Sequence, residues 1–341
     1  MGFLREERDY FYFEARGHRC PFFNMNVSPK VLFDHCYQSY GIAAVNVFTM
    51  EQVIGLFEAA SIAKAPFIVQ ITPAARNYAD SRMLLAMISA AAERFPQAVY
   101  AVHLDHGVEA HILDALSTSG YDSVMIDASH DPFEENVKRT KGIVEKAHSK
   151  GVFVEAELGV LSGVEDDLIV DGKHAKYTDP DQALAFVEQT NCDSLAIAVG
   201  TSHGAYKFSG DQRIRLDLLH AIKEKLPRFP LVLHGGSAVN PSEIECINQF
   251  GGTLGTDAAG VPDEDVKAAI ELGICKINIA TDIRLLWTRT HRTFFATQPD
   301  QFDPTIPGKE FIQAFKAFMI RKFELFNAQE KSLIFLETLT S

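Results

Sequence analysis

The 341-residue chain has no run approaching the roughly 18 apolar residues of a membrane span. Its opening stretch, MGFLREERDYFYFEARGHRC, carries charges where a signal peptide needs an apolar core, so a cytoplasmic protein is expected. Cysteines are few: Cys20, Cys36, Cys192, Cys246 and Cys275 are scattered and lack CxxC spacing, which fits reduced thiols. Positive charge is short as well, since 32 Lys and Arg against 45 Asp and Glu leave a net charge of −13. A nucleic-acid or acidic-membrane surface needs clustered positive charge and is not expected. A small anion is not excluded, because a few local donors hold a phosphate against the global field. No internal repeat or low-complexity linker is present. Nor does a GxGxxG turn follow the first apolar run, where a doubly wound nucleotide-binding sheet would want one.

What the chain does have is eight short apolar or β-branched runs, separated by stretches with helical spacing. They are residues 42–48, 66–71, 98–105, 122–127, 152–158, 194–200, 229–235 and 275–281. Amphipathic helices are predicted between them, for example at 50–64, 133–150 and 181–189. Alternating strands and helices imply parallel pairing through right-handed crossovers. Eight such units predict a (β/α)8 TIM barrel. Residues 285–330 predict extra C-terminal helices split by the turn QPDQFDP (298–304). The expected organisation is an N-terminal extension, 1–27, and a single barrel domain, 28–341. For the aromatic extension three readings stay open: an added cap, an interface arm, or a stretch read through upstream of a start at Met25.

In such a barrel the C-terminal strand ends build the active site. Those ends carry Asn46, Gln70 with Thr72, His103-Leu104-Asp105-His106, Asp127, Glu155 with Glu157, His203, His234, and Asn278 with Thr281. A lone histidine at a strand end is more often a hydrogen-bonded core or loop residue than a ligand. Histidines at one level of three separate strands, beside carboxylates, point instead to metal, and three imidazoles are the protein ligand count of one kind of catalytic zinc site. Glu155 and Glu157 alternate inward in an apolar strand, where an unpaired carboxylate would be costly. Glu157 is the better site candidate; its plain alternative is orienting a histidine ligand. Lys276 shares the inward face with Asn278 and has no assigned role. SHGAYK (202–207), HGGS (234–237) and NIATD (278–282) place glycines and hydroxyls after the later strands, where barrels often bind phosphate. Ordinary turn chemistry also uses such glycines.

Taken in order, HLDHG (103–107), MIDAS (125–129), EAELG and GVEDD (155–167), YTDP (177–180), GTSHGAYK (200–207), VLHGGS (232–237) and GICKINIATD (273–282) resemble the class II, metal-dependent ketose-bisphosphate aldolases. The resemblance runs from about residue 27 to about residue 330. It implies a (β/α)8 barrel, a catalytic Zn2+, and a homo-oligomer, dimer or tetramer, acting on a small sugar phosphate. By motif, His106, His203 and His234 resemble the zinc ligands, and Asp105 the acid that handles the hydroxyl proton. Asp127 and Glu157 resemble an alternative or accessory metal position, with a second divalent or monovalent cation left open. Glu165 resembles the mobile acid/base at the carbanion carbon, in the loop after the fifth strand. Gly204, Gly235, Ser237, Asn278 and Thr281 resemble binders of the dihydroxyacetone-phosphate half, and Asn46, Thr72, Gly236 and Ile279 are counted with the substrate site.

Retro-aldol cleavage leaves an enediolate, so a Lewis acid, one carboxylate for the hydroxyl proton and a second group for the carbon proton make a consistent set. No Schiff-base lysine is then required. The best substrate reading is fructose 1,6-bisphosphate. Tagatose 1,6-bisphosphate is the alternative, because Ala280 stands where fructose-type members usually have Asp. Arg284, by contrast, stands where fructose-type members bind the far phosphate. A metal-dependent hydrolase on the same barrel is the distant alternative; such hydrolases usually carry paired histidines on the first strand, which here ends in Asn46.

Overall fold

The computed structural model describes residues 25–160, 162–165, 168–170, 176–203, 213–256 and 260–335; within these, residues 162–165, 168–170 and 203 are considered through their backbones alone. The chain order begins α1 (Pro29–Cys36), β1 (Ile42–Asn46), α2 (Met50–Ala63), β2 (Phe67–Ile71), α3 (Pro73–Ala79), α4 (Ser81–Arg94) and β3 (Tyr100–Gly107). It continues with α5 (Glu109–Ser117), β4 (Ser123–Ile126), α6 (Phe133–His148), β5 (Phe153–Leu158), β6 (Ser162–Glu165), β7 (Leu168–Val170) and α7 (Pro180–Thr190). It closes with β8 (Ser194–Ile197), β9 (Ser202–His203), α8 (Leu216–Lys225), β10 (Leu231–Leu233), α9 (Pro241–Gln249), α10 (Asp263–Glu271), β11 (Ile274–Ile279), α11 (Thr281–Thr297) and α12 (Thr305–Leu325).

Four helices start on one signal, a polar cap followed by proline: Ser28-Pro29, Thr72-Pro73, Asp179-Pro180 and Asn240-Pro241. The cap side chain accepts a first-turn N–H, and proline at the first position gives up a donor that has no helical partner anyway. At α2 the device is a capping box, in which Thr49 and Gln52 each satisfy the other's backbone N–H.

Eight parallel strands close in the order β1-β11-β10-β8-β5-β4-β3-β2, the (β/α)8 barrel that the eight runs predicted. The first strand pairs with the last, Ala44 opposite Asn278. The main apolar core lies between the barrel and its helices, with Phe57, Phe67, Phe186, Phe311 and Phe315 fully buried in it. Met125, Ala196 and Val232 form their own cluster, and register puts Met125 beside Glu155, Ala196 beside Glu157 and Val232 beside Lys276.

Strand ends differ from the expected ones where glycine intervenes. β8 stops at Ile197, short of Gly200 (φ 107°), and β10 stops at Leu233, short of Gly235 (φ 64°). β3 runs two residues further than expected, through an irregularity between Leu104 and Gly107. The segment expected as a loop after the fifth strand contains a hairpin: β6 and β7 pair antiparallel with Glu165 opposite Leu168, and β9 pairs parallel with β6. The carboxylates at 165–167 read as a loop because the apolar run that follows them, LIV (168–170), is only three residues long. Residues 25–27, counted with the extension, lie against β3, where Val27 N–H donates to Tyr100 O and Tyr100 N–H to Met25 O. The two terminal helices fall on either side of the expected turn. Among the described residues no helix is long and apolar enough to cross a membrane.

Candidate metal and substrate site

The C-terminal end of β3 supplies two adjacent polar side chains. Asp105 is buried, and both carboxylate oxygens accept from amides: Oδ2 from Asn46 Nδ2 at 2.9 Å and Oδ1 from Asn278 Nδ2 at 3.3 Å. Asn46 in turn accepts from Gln70 Nε2 at 3.0 Å. Side chains from β1 and β11 therefore grip one carboxylate on β3, and Gln70 on β2 steadies the first of them. His106 follows with φ 49°, a left-handed conformation that costs a non-glycine residue about 1–3 kcal/mol. It sits at the ladder irregularity, and such irregularities re-aim a side chain.

The His106 imidazole meets two carboxylates, Asp127 at 3.1 Å and Glu157 at 3.9 Å, both from Nδ1. Burial alone would raise the Asp127 carboxyl; the His106 hydrogen bond and the Ser129 hydroxyl and N–H overcome that and hold it well below the usual range. Where His106 Nδ1–H donates to Asp127, the neutral ring carries its lone pair on Nε2. The His106 and His234 rings stand edge to face, centroids 4.7 Å apart at 71°. His234 is fully buried, and its Nε2 lies 3.0 Å from Glu155 Oε1. Burial, then His106, pushes the His234 imidazole below its ordinary pKa against the opposing hydrogen bond from Glu155.

Two sets of donor atoms converge here. One is Asp105, His106 and His234; the other is His106, Asp127 and Glu157, and in each set the atoms lie within 4.8 Å of one another. Imidazole nitrogens and carboxylate oxygens at this spacing fit a divalent cation such as zinc. Clustered carboxylates also repel one another, which a divalent cation relieves.

Beside this cluster lies a glycine-built wall. A Cβ on Gly235 would stand 2.5 Å from Ser202 O, and one on Gly236 would stand 2.7 Å from Ile277 Cγ2. Asp282, in the first turn of α11, accepts from Ala238 N–H at 3.0 Å and Val239 N–H at 2.8 Å, and pairs with Lys322 at 3.3 Å. The Ser237 hydroxyl accepts weakly from Asp282 N–H at 3.5 Å. Ala280, at the N-cap of α11, has no side chain to cap it. Thr281 opens that helix, and an N-terminus of this kind beside backbone N–H groups is anion-binding geometry. Arg284 is exposed, its guanidinium 5.2 Å from the centroid of the Phe48 ring.

The structure thus brings together Asp105, His106, Asp127, Glu157 and His234, and sets Gly235, Gly236, Ser237, Ala280 and Thr281 in two adjoining turns. Asn46 and Asn278, expected at the substrate, spend an amide N–H on Asp105. The Thr72 hydroxyl caps α3 by accepting from Ala75 N–H at 3.2 Å. Ile279 is a buried apolar strand residue. Glu165 and His203 lie on paired strands of the small second sheet, and Gly204 lies outside the described residues. Sequence reasoning gave no role to Gln70, Ser129 or Asp282. The signals were present, Gln70 at a strand end and Asp282 inside NIATD, but the partners of those two lie far away in sequence, whereas Ser129 meets Asp127 two residues before it.

Fold and donor cluster together define a barrel enzyme of the metal-dependent kind. The family model described as "Fructose-bisphosphate aldolase class-II" matches residues 27–331, and the chain belongs to that family. A fructose-bisphosphate aldolase of Giardia intestinalis is 43% identical over 278 residues, covering 80% of this chain and 84% of the relative. One from Thermus caldophilus is 43% identical over 291 residues, covering 85% and 94%. Among solved structures, the YdjI aldolase from Escherichia coli K12 superposes with a TM-score of 0.72 at 30% identity, covering 90% of this chain and all of that one. Members of the family are metal-dependent lyases.

Gly235→Ala is expected to lower stability by about 1–3 kcal/mol, since alanine is strained at φ 64° and its Cβ would meet backbone that cannot rotate away. A urea midpoint equal to that of the wild type would show that the turn yields.

Proposed function

We propose that this chain is a zinc-dependent aldolase that reversibly cleaves fructose 1,6-bisphosphate to dihydroxyacetone phosphate and glyceraldehyde 3-phosphate. The observation that carries the reading is the convergence of two imidazoles and three carboxylates beside the glycine-built turns and the start of α11. His106 and His234, with His203, would hold the zinc, and Asp127 and Glu157 a second position around His106. When bound, the cation supplies Lewis acidity to the ketose carbonyl and its neighbouring hydroxyl, where negative charge develops.

Asp105 takes the hydroxyl proton at the bond being broken. Its two amide donors hold both oxygens in place, so little reorganisation accompanies the transfer. Glu165, on the hairpin, returns a proton to carbon. Backbone N–H groups of Gly204, Gly235 and Gly236, with the Ser237 and Thr281 hydroxyls, hold the near phosphate, and Arg284 the far one, a fork suited to a phosphate dianion. A homo-oligomer also belongs to this reading. Trp287, Phe295 and Phe302 are 43%, 52% and 93% exposed, apolar area that a second copy would cover.

Purified protein should release triose phosphate from fructose 1,6-bisphosphate, and complete chelation should abolish that release; activity without metal would sink the proposal. His106→Ala and His234→Ala should each lose bound zinc. Asp105→Asn should keep zinc and fold yet lose roughly 10²-fold or more in kcat.

The two candidate sugars differ at one hydroxyl-bearing carbon. Ala280 offers no carboxylate to read it, and one hydrogen bond to a charged partner is worth about 1.5–3 kcal/mol. Tagatose 1,6-bisphosphate is therefore expected to compete with fructose 1,6-bisphosphate, and Ala280→Asp to shift kcat/KM toward fructose by roughly tenfold or more. A strong fructose preference in the wild type, unmoved by the substitution, would show that position 280 is not the selector. Light scattering at micromolar concentration should give a mass above one chain; a monomer would refute the oligomer.

A further inference from the structure

Beneath the donor cluster, the barrel interior holds charged side chains that never reach the reacting atoms. Lys276, on β11, is fully buried, and its ammonium lies 2.9 Å from Glu155 Oε1 and 2.8 Å from Oε2. Its third N–H faces His103 Nε2 at 3.5 Å, and the other nitrogen of that ring lies 2.7 Å from Ser123 Oγ. An ammonium has three donors and no acceptor, so these three contacts use it completely and make His103 Nε2 the acceptor.

The same accounting fixes His234. The Lys276 ammonium contacts both Glu155 oxygens, which pairs it with the ionised carboxylate. Glu155 is thus acceptor-only, and Oε1 takes N–H groups from both Lys276 and His234. The proton of His234 therefore sits on Nε2, and the ring's lone pair sits on Nδ1.

We propose that Glu155 and Lys276 are positioning residues for the metal: Lys276 pins both oxygens of Glu155, and Glu155 fixes the tautomer and rotation of the His234 imidazole so that Nδ1 is presented as a ligand. The proposal rests on the reading of His234 as a metal ligand. A carboxylate behind a ligating imidazole orients the ring and raises its basicity, and loss of such a partner typically weakens metal binding 10–100-fold. What is particular to this barrel is the second link. The orienting carboxylate is itself buried, and the lysine that neutralises it comes from a strand across the barrel, 121 positions away in sequence.

The test is zinc affinity, measured by competition with a chromophoric chelator, together with the visible spectrum of the Co2+-substituted protein, which reports ligand geometry. Glu155→Gln and Lys276→Met are each expected to weaken zinc binding about 10–100-fold and to shift the Co2+ bands. Because Lys276 acts only through Glu155, the double variant should bind no more weakly than Glu155→Gln alone, a strong non-additivity. Urea unfolding of each variant separates this role from a purely structural one, which would lower the midpoint and leave affinity and spectrum unchanged. If a single variant does not fold, the double variant, which leaves neither charge unpaired, carries the test. Wild-type affinity and spectrum in a folded Glu155→Gln or double variant would overturn the proposal, as would a further tenfold loss on adding Lys276→Met to Glu155→Gln. Full zinc binding by His234→Ala would mark failure of the ligand assignment instead.

Discussion

Moving a carboxylate and an ammonium out of water costs several kcal/mol per ion, and a buried pair is tolerated only with good geometry and every remaining hydrogen bond satisfied. The barrel meets those terms at Glu155 and Lys276. Both oxygens of the carboxylate and all three ammonium protons are engaged, with His103 and His234 completing the set. Beside them Met125, Ala196 and Val232 form a small separate apolar cluster. The molecule therefore has two different interiors. Between sheet and helices, aromatic and aliphatic packing supplies stability. Inside the sheet a hydrogen-bonded lattice supplies direction, and the mouth is built on it.

Direction matters because so little of the mouth is held by packing. Asp105 is held by two amides, one of them held by Gln70, while Asp127 is held by Ser129 and the His106 ring. Every one of these is a short side chain on a strand or in the turn that follows it. Rotamers fixed in this way keep donor atoms within a narrow spacing even though the carboxylates repel. The phosphate side follows different physics. With an acidic chain and carboxylates already gathered at the mouth, the proposed anion binding would fall to backbone N–H groups, hydroxyls and a helix start. Asp282 holds the turn after β10 against α11, while Lys322 on α12 balances its charge.

Much of this was legible in the sequence because a barrel makes position along a strand equivalent to height in the molecule. Eight apolar runs were enough for the fold, and the polar residue closing each run was enough to gather Asp105, His106, Asp127, Glu157 and His234. Roles depending on partners were not legible. Asn46 and Asn278 could be placed at the site, but a single strand end does not say that both also face Asp105. Lys276 could be placed on the inward face by alternation, yet nothing local names Glu155 as its partner. The hairpin of β6 and β7 was missed since its strands are only four and three residues long, and the apolar LIV of β7 is shorter than any of the other eight runs. His106 at positive φ was equally invisible: the strain follows from the ladder irregularity, not from the residue.

The pairing of β1 with β11 sets a time at which the site comes into being. Asp105 is gripped from one side by Asn46 on the first strand and from the other by Asn278 on the last, and Lys276 reaches Glu155 only when that last strand is in place. A chain still emerging from the ribosome and not yet extruded as far as Ile279 contains most of the donor atoms but lacks the strand that orders them. Non-local pairing of this kind comes late in folding, because its loop-closure entropy precedes its contacts. Until then, the acidic side chains gathered at the mouth are only a loose collection of charges, and a competent centre appears together with the closed ring.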